Sequence, residues 1–340
     1  MDTGQQVDKR VMTSRRSQVL GWIEDGVIAP GHILQALKVT GITPDGPHWR
    51  RFIDQLLLGT GALALACAVV FFIAYNWDAL GRFTQFALLQ LLMILAVVFY
   101  WRLGAEKTTA RVALLVAAVL LGALLALYGQ TYQTGADPWQ LFATWALLML
   151  PWVLVGRFAA LWLLWLGLLN LAAILYYQVF PGLFWITFGS RDELSWLLLL
   201  LNTAAWGVWE IAAFRFEWLG RAGPGGRWAV RVIATASGTV MTMLVLRAIF
   251  DPAQTPALTW LVYIAWLAVL YFVYRHKLPD LFMLAGACLS VIVSVTLLCA
   301  DFMLQGDAMA GTFLLLAILV VAQAAGAAIW LRHIQAEQAS

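Results

Sequence analysis

The chain has 340 residues, of which 63% are hydrophobic and only 11% charged. Soluble domains carry about 25% charge, so this composition excludes a water-soluble globule, which would lack polar surface to cover itself. A net charge of +3 with no extended basic patch excludes nucleic-acid binding, and three cysteines without a CxxC or Cys/His cluster give no structural zinc site.

Residues 1–13 are polar and unpatterned and read as a tail. Val19, Leu20, Trp22 and Ile23 then have helical spacing, and Gly26 offers a stop. Pro30 suits the first turn of a second helix carrying Ile33, Leu34 and Leu37, which ends near Gly41. A turn at Thr43 to Pro47 follows, and Trp49, Phe52, Ile53 and Leu56 lead into the first long apolar run. Residues 1–50 are therefore expected to form a tail and a small cytoplasmic helical hairpin.

The rest of the chain is written in apolar blocks of roughly 17 to 25 residues, the length that crosses a hydrocarbon layer. Spans are predicted at 56–75, 83–101, 110–129, 139–155, 158–180, 194–214, 228–250, 257–274, 279–300 and 308–331. The fold class is all-α: a polytopic transmembrane bundle of about ten spans. The tight Gly156-Arg157 link after Pro151 leaves open a re-entrant or tilted pair at the fourth and fifth spans.

With the N-terminus inside, all of the 21 Lys and Arg except Arg82, Arg191 and Arg247 fall in inner segments. Outer loops instead carry Asp78, Asp137, Asp192, Glu193, Asp251, Asp301 and Asp307. Removing one span would invert every later loop and destroy this sorting, so both termini are expected in the cytoplasm of a bacterium, beneath its inner membrane. Many of the 18 tryptophans fall near span ends, where an amphipathic ring anchors the interface without any ligand.

Three segments carry a family resemblance: WIEDGVI in the leader, LLLGTGALALACAVVFFIAYNWDALG at the first span, and YGQTYQTGADPWQLFATWALLMLPW across the third loop and fourth span. From about Ser14 to Val155 the chain resembles a bacterial membrane-protein family catalogued as domain of unknown function 2157. The resemblance divides the membrane part into 51–155, family-like, and 156–340, further transmembrane helices. It implies a membrane location and a membrane-protein partner; it brings no activity and no catalytic residues.

The outer face holds one candidate site. Tyr75, Asn76, Trp77 and Asp78 close the first span, and Gln130, Tyr132, Asp137 and Trp139 fill the loop after the third. Amides, phenols, indoles and carboxylates on short loops can bind a sugar, a peptide or a lipid headgroup. The same residues equally serve as caps, turns and anchors. A second candidate lies within the membrane, where each ionisable group costs roughly 2.5–3.5 kcal/mol or more. Glu210 near the inner end of the sixth span and Arg231 near the inner start of the seventh are expected to form an ion pair or share a hydrated pocket. Asp192-Glu193 reads as a solvated loop. Asn170, Asn202, Ser237, Thr239, Thr242 and Gln323 read as helix-to-helix hydrogen-bonding groups.

The four histidines have no evident nucleophile partner, and HExxH, GxSxG and P-loop motifs are missing. No metal or cofactor is expected, and the balance leans away from an enzyme. Three readings stay open: a non-enzymatic scaffold, sensor or accessory subunit; a small-molecule or lipid transporter using Glu210 and Arg231; and an outer-face membrane transferase.

Overall fold

The structure is a computed structural model that describes residues 77–180, 193–216, 227–253, 257–304 and 309–339, and residues 19, 22–23, 25–33, 35–36, 49–50, 53–54, 57, 71 and 75 before them. The chain divides into two compact units, Met1–Gly81 and Arg82–Ser340. The turn at Thr43 to Pro47 and all of the span expected at 56–75 except residues 57, 71 and 75 lie outside the described residues.

In the first unit the helix stop at Gly26 forms as its chemistry requires. Gly26 adopts φ +69, its N–H donates to the Ile23 carbonyl at 3.2 Å, and the Val27 N–H donates to the Trp22 carbonyl at 3.0 Å. These two bonds are a Schellman closure, which needs a left-handed residue that glycine supplies at no steric cost. Pro30 then opens a short 3-10 turn, Pro30–His32.

The second unit is helical throughout its described residues. Its elements are α1 (Arg82–Leu103), α2 (Thr108–Tyr132), α3 (Pro138–Gly156), α4 (Ala159–Val179), α5 (Glu193–Arg215), α6 (Trp228–Phe250), α7 (Leu258–Phe272), α8 (Leu281–Leu304) and α9 (Met309–Ala339). A π-turn, Val273–Lys277, extends α7, closed by the Leu278 N–H on the Val273 carbonyl at 2.8 Å. Among the described residues, nine helices are long and apolar enough to cross a membrane. Leu91, Ile94, Leu261, Ile264, Leu314 and Val321 stay exposed on them, as lipid-facing side chains must. The molecule is a multi-pass, all-helical membrane protein.

Helices α3 and α4 answer the question left open at Pro151. Each is a full-length helix, and only Arg157 (φ 43) and Phe158 separate them. Trp165 donates to the Ala146 carbonyl at 3.1 Å, and Trp139 meets Tyr176 edge-on at 4.9 Å near the far end. Contacts along the whole length make an antiparallel hairpin of two long apolar helices.

This hairpin packs with α2 around Leu114, Ala118, Leu121, Met149, Val153, Leu161 and Leu168. Gly122 matters here, because a Cβ at that position would overlap the Trp145 indole. The same indole donates its N–H to the Ala118 carbonyl at 2.8 Å. In the later helices the buried side chains are more polar. Asn170 and Asn202 exchange amide bonds of 3.2 and 2.6 Å between α4 and α5. Thr203 meets Ser237 at 2.7 Å, Thr242 meets Ser290 at 2.8 Å, and Gln323 donates to Thr296 at 3.3 Å. Each such bond contributes about 0.6 kcal/mol between membrane helices.

Candidate functional site

The most highly organised polar site lies where α5 ends and α6 and α8 begin. Glu210 projects from α5 about 7.5 Å before its C-terminus, taking 1.5 Å per residue. Its carboxylate accepts both terminal nitrogens of Arg227, one of them at 3.3 Å, and the Tyr274 hydroxyl at 2.7 Å. Arg227, the residue before α6, turns its Nε to Asp280 Oδ2 at 2.7 Å. Arg231, one turn into α6, donates to the other Asp280 oxygen at 3.1 Å. Two carboxylates and two guanidiniums thus form a neutral chain in the order Glu210, Arg227, Asp280, Arg231.

Local helix electrostatics do not favour this placement. A carboxylate near a helix C-terminus and cations at a helix N-terminus both oppose the helix dipole. Only Asp280 is well placed: just ahead of α8, it accepts the Phe282 N–H at 3.1 Å as an N-cap. Glu210, Arg227 and Arg231 are held instead by one another. Burial acts to lower the Arg227 pKa, but hydrogen bonding and charge from Glu210, then Asp280, outweigh it and hold the guanidinium above its ordinary value. Arg227 is therefore charged at any working pH.

The π-turn completes the site. It places Tyr274 where its hydroxyl accepts the Trp206 indole N–H at 2.8 Å and donates onward to Glu210. The Trp206 and Tyr274 rings stack at 5.9 Å, and the Arg227 guanidinium lies 5.8 Å from the Tyr274 ring centre. Trp206 and Glu210, four apart, share one face of α5. The Asp280 side chain is 1% exposed and those of Glu210 and Arg227 are nearly buried. With every carboxylate oxygen occupied, the arrangement has no free base or nucleophile and ties four helices together.

Glu210 and Arg231, expected to pair or to share a hydrated pocket, are not directly bonded. The two belong to one chain, but Glu210 bonds Arg227, and Arg231 bonds Asp280. Arg227 sits between the two carboxylates and is closer to each than a residue a turn further along α6 can be. Sequence reasoning missed Asp280 and Arg227. Leu-Pro-Asp before an apolar block is a readable N-cap signal, but its pairing is not readable.

The expected loop site has residues in both units, and each group is described within its own unit. Tyr75 is exposed, Trp77 to Ala79 make a 3-10 turn, and Asn76 lies outside the described residues. All four expected positions of that segment, Asp78 included, belong to the first unit. In the second unit, Tyr132 is 54% exposed and packs on Tyr128 at 4.8 Å and Phe86 at 6.2 Å. Trp139 turns away to Tyr176. Gln130 is exposed on the last turn of α2. Asp137 holds the position before α3, and its carbonyl accepts the Gln140 N–H at 3.0 Å. Tyr132 and Trp139 therefore face different neighbours.

Glu193 is a further correction. Expected on a solvated loop, it is 1% exposed and opens α5, where its carboxylate accepts the Tyr177 hydroxyl. A helix N-terminus favours a carboxylate, and among the described residues the other carboxylate oxygen has no hydrogen-bond partner. Asp192 lies outside the described residues. Among those residues no group of His, Cys, Asp and Glu could hold a metal ion.

No curated protein and no solved structure matches the chain. Helices α5 to α9, which carry the ionic chain, lie beyond the segment that matches a family model. That segment, residues 20–162, matches the model of the family described as predicted membrane protein (DUF2157).

Proposed function

We propose that this protein is a non-enzymatic scaffold or accessory subunit of a bacterial cytoplasmic membrane, built to hold a fixed arrangement of helices. The observation that carries this reading is the closed ionic chain. A proton- or ion-coupled carrier needs a carboxylate that can change partners in mid-cycle, whereas both oxygens of Glu210 are engaged by Arg227 and Tyr274. The exposed Gln130 and Tyr132, with Asp137 beside them, then offer a contact surface for a membrane-protein partner.

Orientation follows from charge. Arg102, Lys107, Arg157, Arg215, Arg227, Arg275, Lys277 and Arg332 lie at or beyond the helix ends that share the side of the ionic chain. The positive-inside rule assigns that side, and both termini, to the cytoplasm. A tenth span over 56–75 is required for the N-terminal segment to share it.

Two experiments test this reading. Reporters fused after Arg51 and after Lys277 should both be cytosolic; opposite locations overturn the ten-span orientation. The full chain reconstituted in vesicles holding a pH-sensitive dye should pass protons and cations no faster than protein-free vesicles. A gradient-driven flux that Glu210→Gln abolishes, in a protein that still folds, overturns the scaffold in favour of a transporter.

A further inference from the structure

A cavity with a volume of about 520 Å³ lies between α6 and α8. The helices run parallel, since Arg231 and Asp280 pair at their starts and Thr242 and Ser290 pair further along. Helix α7 sits behind them, and Trp206 and Trp266 form the floor. The rim residues Thr235, Thr239, Met243, Gly286 and Leu289 are exposed, so the cavity is a groove open along the side of the bundle.

Its threonines suggest a polar lining, but their hydrogen bonds are spent locally. Thr235 donates to the Arg231 carbonyl, Thr239 to the Thr235 carbonyl and Thr242 to the Gly238 carbonyl, each at 2.8 Å. What remains for a ligand is methyl groups, glycine backbone, indole faces and hydroxyl lone pairs without donors. An anion would lose its hydration there without replacement and a sugar most of it, whereas a hydrocarbon chain has none to lose. From Ala234 to Leu246 the groove is about 18 Å long at 1.5 Å per residue, close to the roughly 15 Å depth of one leaflet.

One end of the groove is charged. Phe282 lines it, and the Arg231 guanidinium lies over that ring at 5.4 Å. The Arg231 side chain is 42% exposed, and its bonds to Asp280 use Nε and one terminal nitrogen. Among the described residues its other terminal nitrogen has no partner, and a guanidinium offers donors matched to phosphate oxygens. We propose that this groove seats one acyl chain of an anionic phospholipid, with the lipid phosphate on Arg231. The site is independent of the scaffold reading, because a carrier could hold the same lipid.

The test uses the full chain in phosphatidylcholine vesicles carrying a trace of lipid with a photoactivatable acyl chain. Adducts should concentrate on Met243, Phe282 and Leu289. A phosphatidylglycerol probe should label them about tenfold more than a phosphatidylcholine probe, because the choline cation beside the same phosphate is repelled by Arg231 and cancels the net charge. A second apolar cavity of about 400 Å³ between α7, α8 and α9, lined by Cys288 and Trp330, serves as the internal control and should show no such preference. A Cβ at Gly286 meets nothing within 4 Å, so the side chain of Gly286→Leu starts in open space on the groove wall. That variant, or Thr239→Leu from the facing wall, should cut groove labelling about tenfold and leave the control cavity labelled. Arg231→Gln should remove the headgroup preference and retain the labelling. Adducts spread evenly over the helices overturn the proposal, as does labelling that survives both fillings. Groove adducts that disappear as the protein density in the vesicles is raised also overturn it, assigning the groove to a second copy.

Discussion

Helices α1 to α4 and helices α5 to α9 solve the same packing problem with different chemistry. In the first group, indoles donate to backbone carbonyls, as Trp145 does to Ala118 and Trp165 to Ala146, and Gly122 makes room for a ring. In the second, side chains bond side chains: Glu210 with Arg227, Asp280 with Arg231, Tyr263 with Ser290 at 3.1 Å. Lipid supplies no hydrophobic drive between helices, so specificity has to come from close packing or from polar bonds. Close packing tolerates gradual change, whereas a polar network fails when one member is lost. The DUF2157 match covers residues 20–162 and so leaves out the whole ionic chain. The feature most open to chemical test thus belongs to the part of the chain that the family does not describe.

The contrast can be broken most forcefully at Arg227. Arg227→Gln leaves the nearly buried Glu210 without a cation and takes one of the two that Asp280 has, and removing one partner of a buried pair typically costs about 3–5 kcal/mol. Thermal unfolding followed in detergent should show the largest fall in Tm of any single variant in the second group. Because Arg227 keeps its proton throughout the working range, its ion pairs should contribute no alkaline step to the wild-type stability profile. In the first group, Gly122→Leu forces a side chain into the Trp145 indole. Overpacking costs about 1–3 kcal/mol, and unfolding should show an intermediate loss.

Trp206→Phe keeps the ring stack but removes the N–H from the Tyr274 hydroxyl. A loss of about 1 kcal/mol is expected in the same assay. The smallest effect should come from the amide pair. Asn170→Leu with Asn202→Leu removes both partners together, and a change within about 1 kcal/mol is expected. A large loss there would show that α4 and α5 depend on polar bonds as heavily as α5 to α8 do.

Helix positions were legible because bilayer thickness imposes them. The block read at 228–250 is α6, and the block read at 194–214 is α5 with one residue added at each end. The stop at Gly26 was equally legible, since only a left-handed residue closes that turn. Polar partners were not. Which carboxylate meets Arg231 depends on the rotation of α6 and α8 about their own axes, to which an all-round apolar helix gives no periodic signal. Tyr274 reaches Glu210 through a π-turn at Val273–Lys277, and hydropathy does not distinguish that turn from ordinary helix. Glu193 was misread because a charge at the edge of an apolar block looks alike whether it caps a helix or hangs in a loop. Asn76 and all of the span at 56–75 except residues 57, 71 and 75 lie outside the described residues.

A double-mutant cycle between Glu210 and Arg227 tests the central claim most directly. If the ionic chain is a structural clamp, Glu210→Gln and Arg227→Gln should each destabilise the protein. Together they should restore much of the loss, with a coupling of about 2 kcal/mol or more. Losses that simply add would contradict the account, because the two residues would then be stabilising the bundle independently.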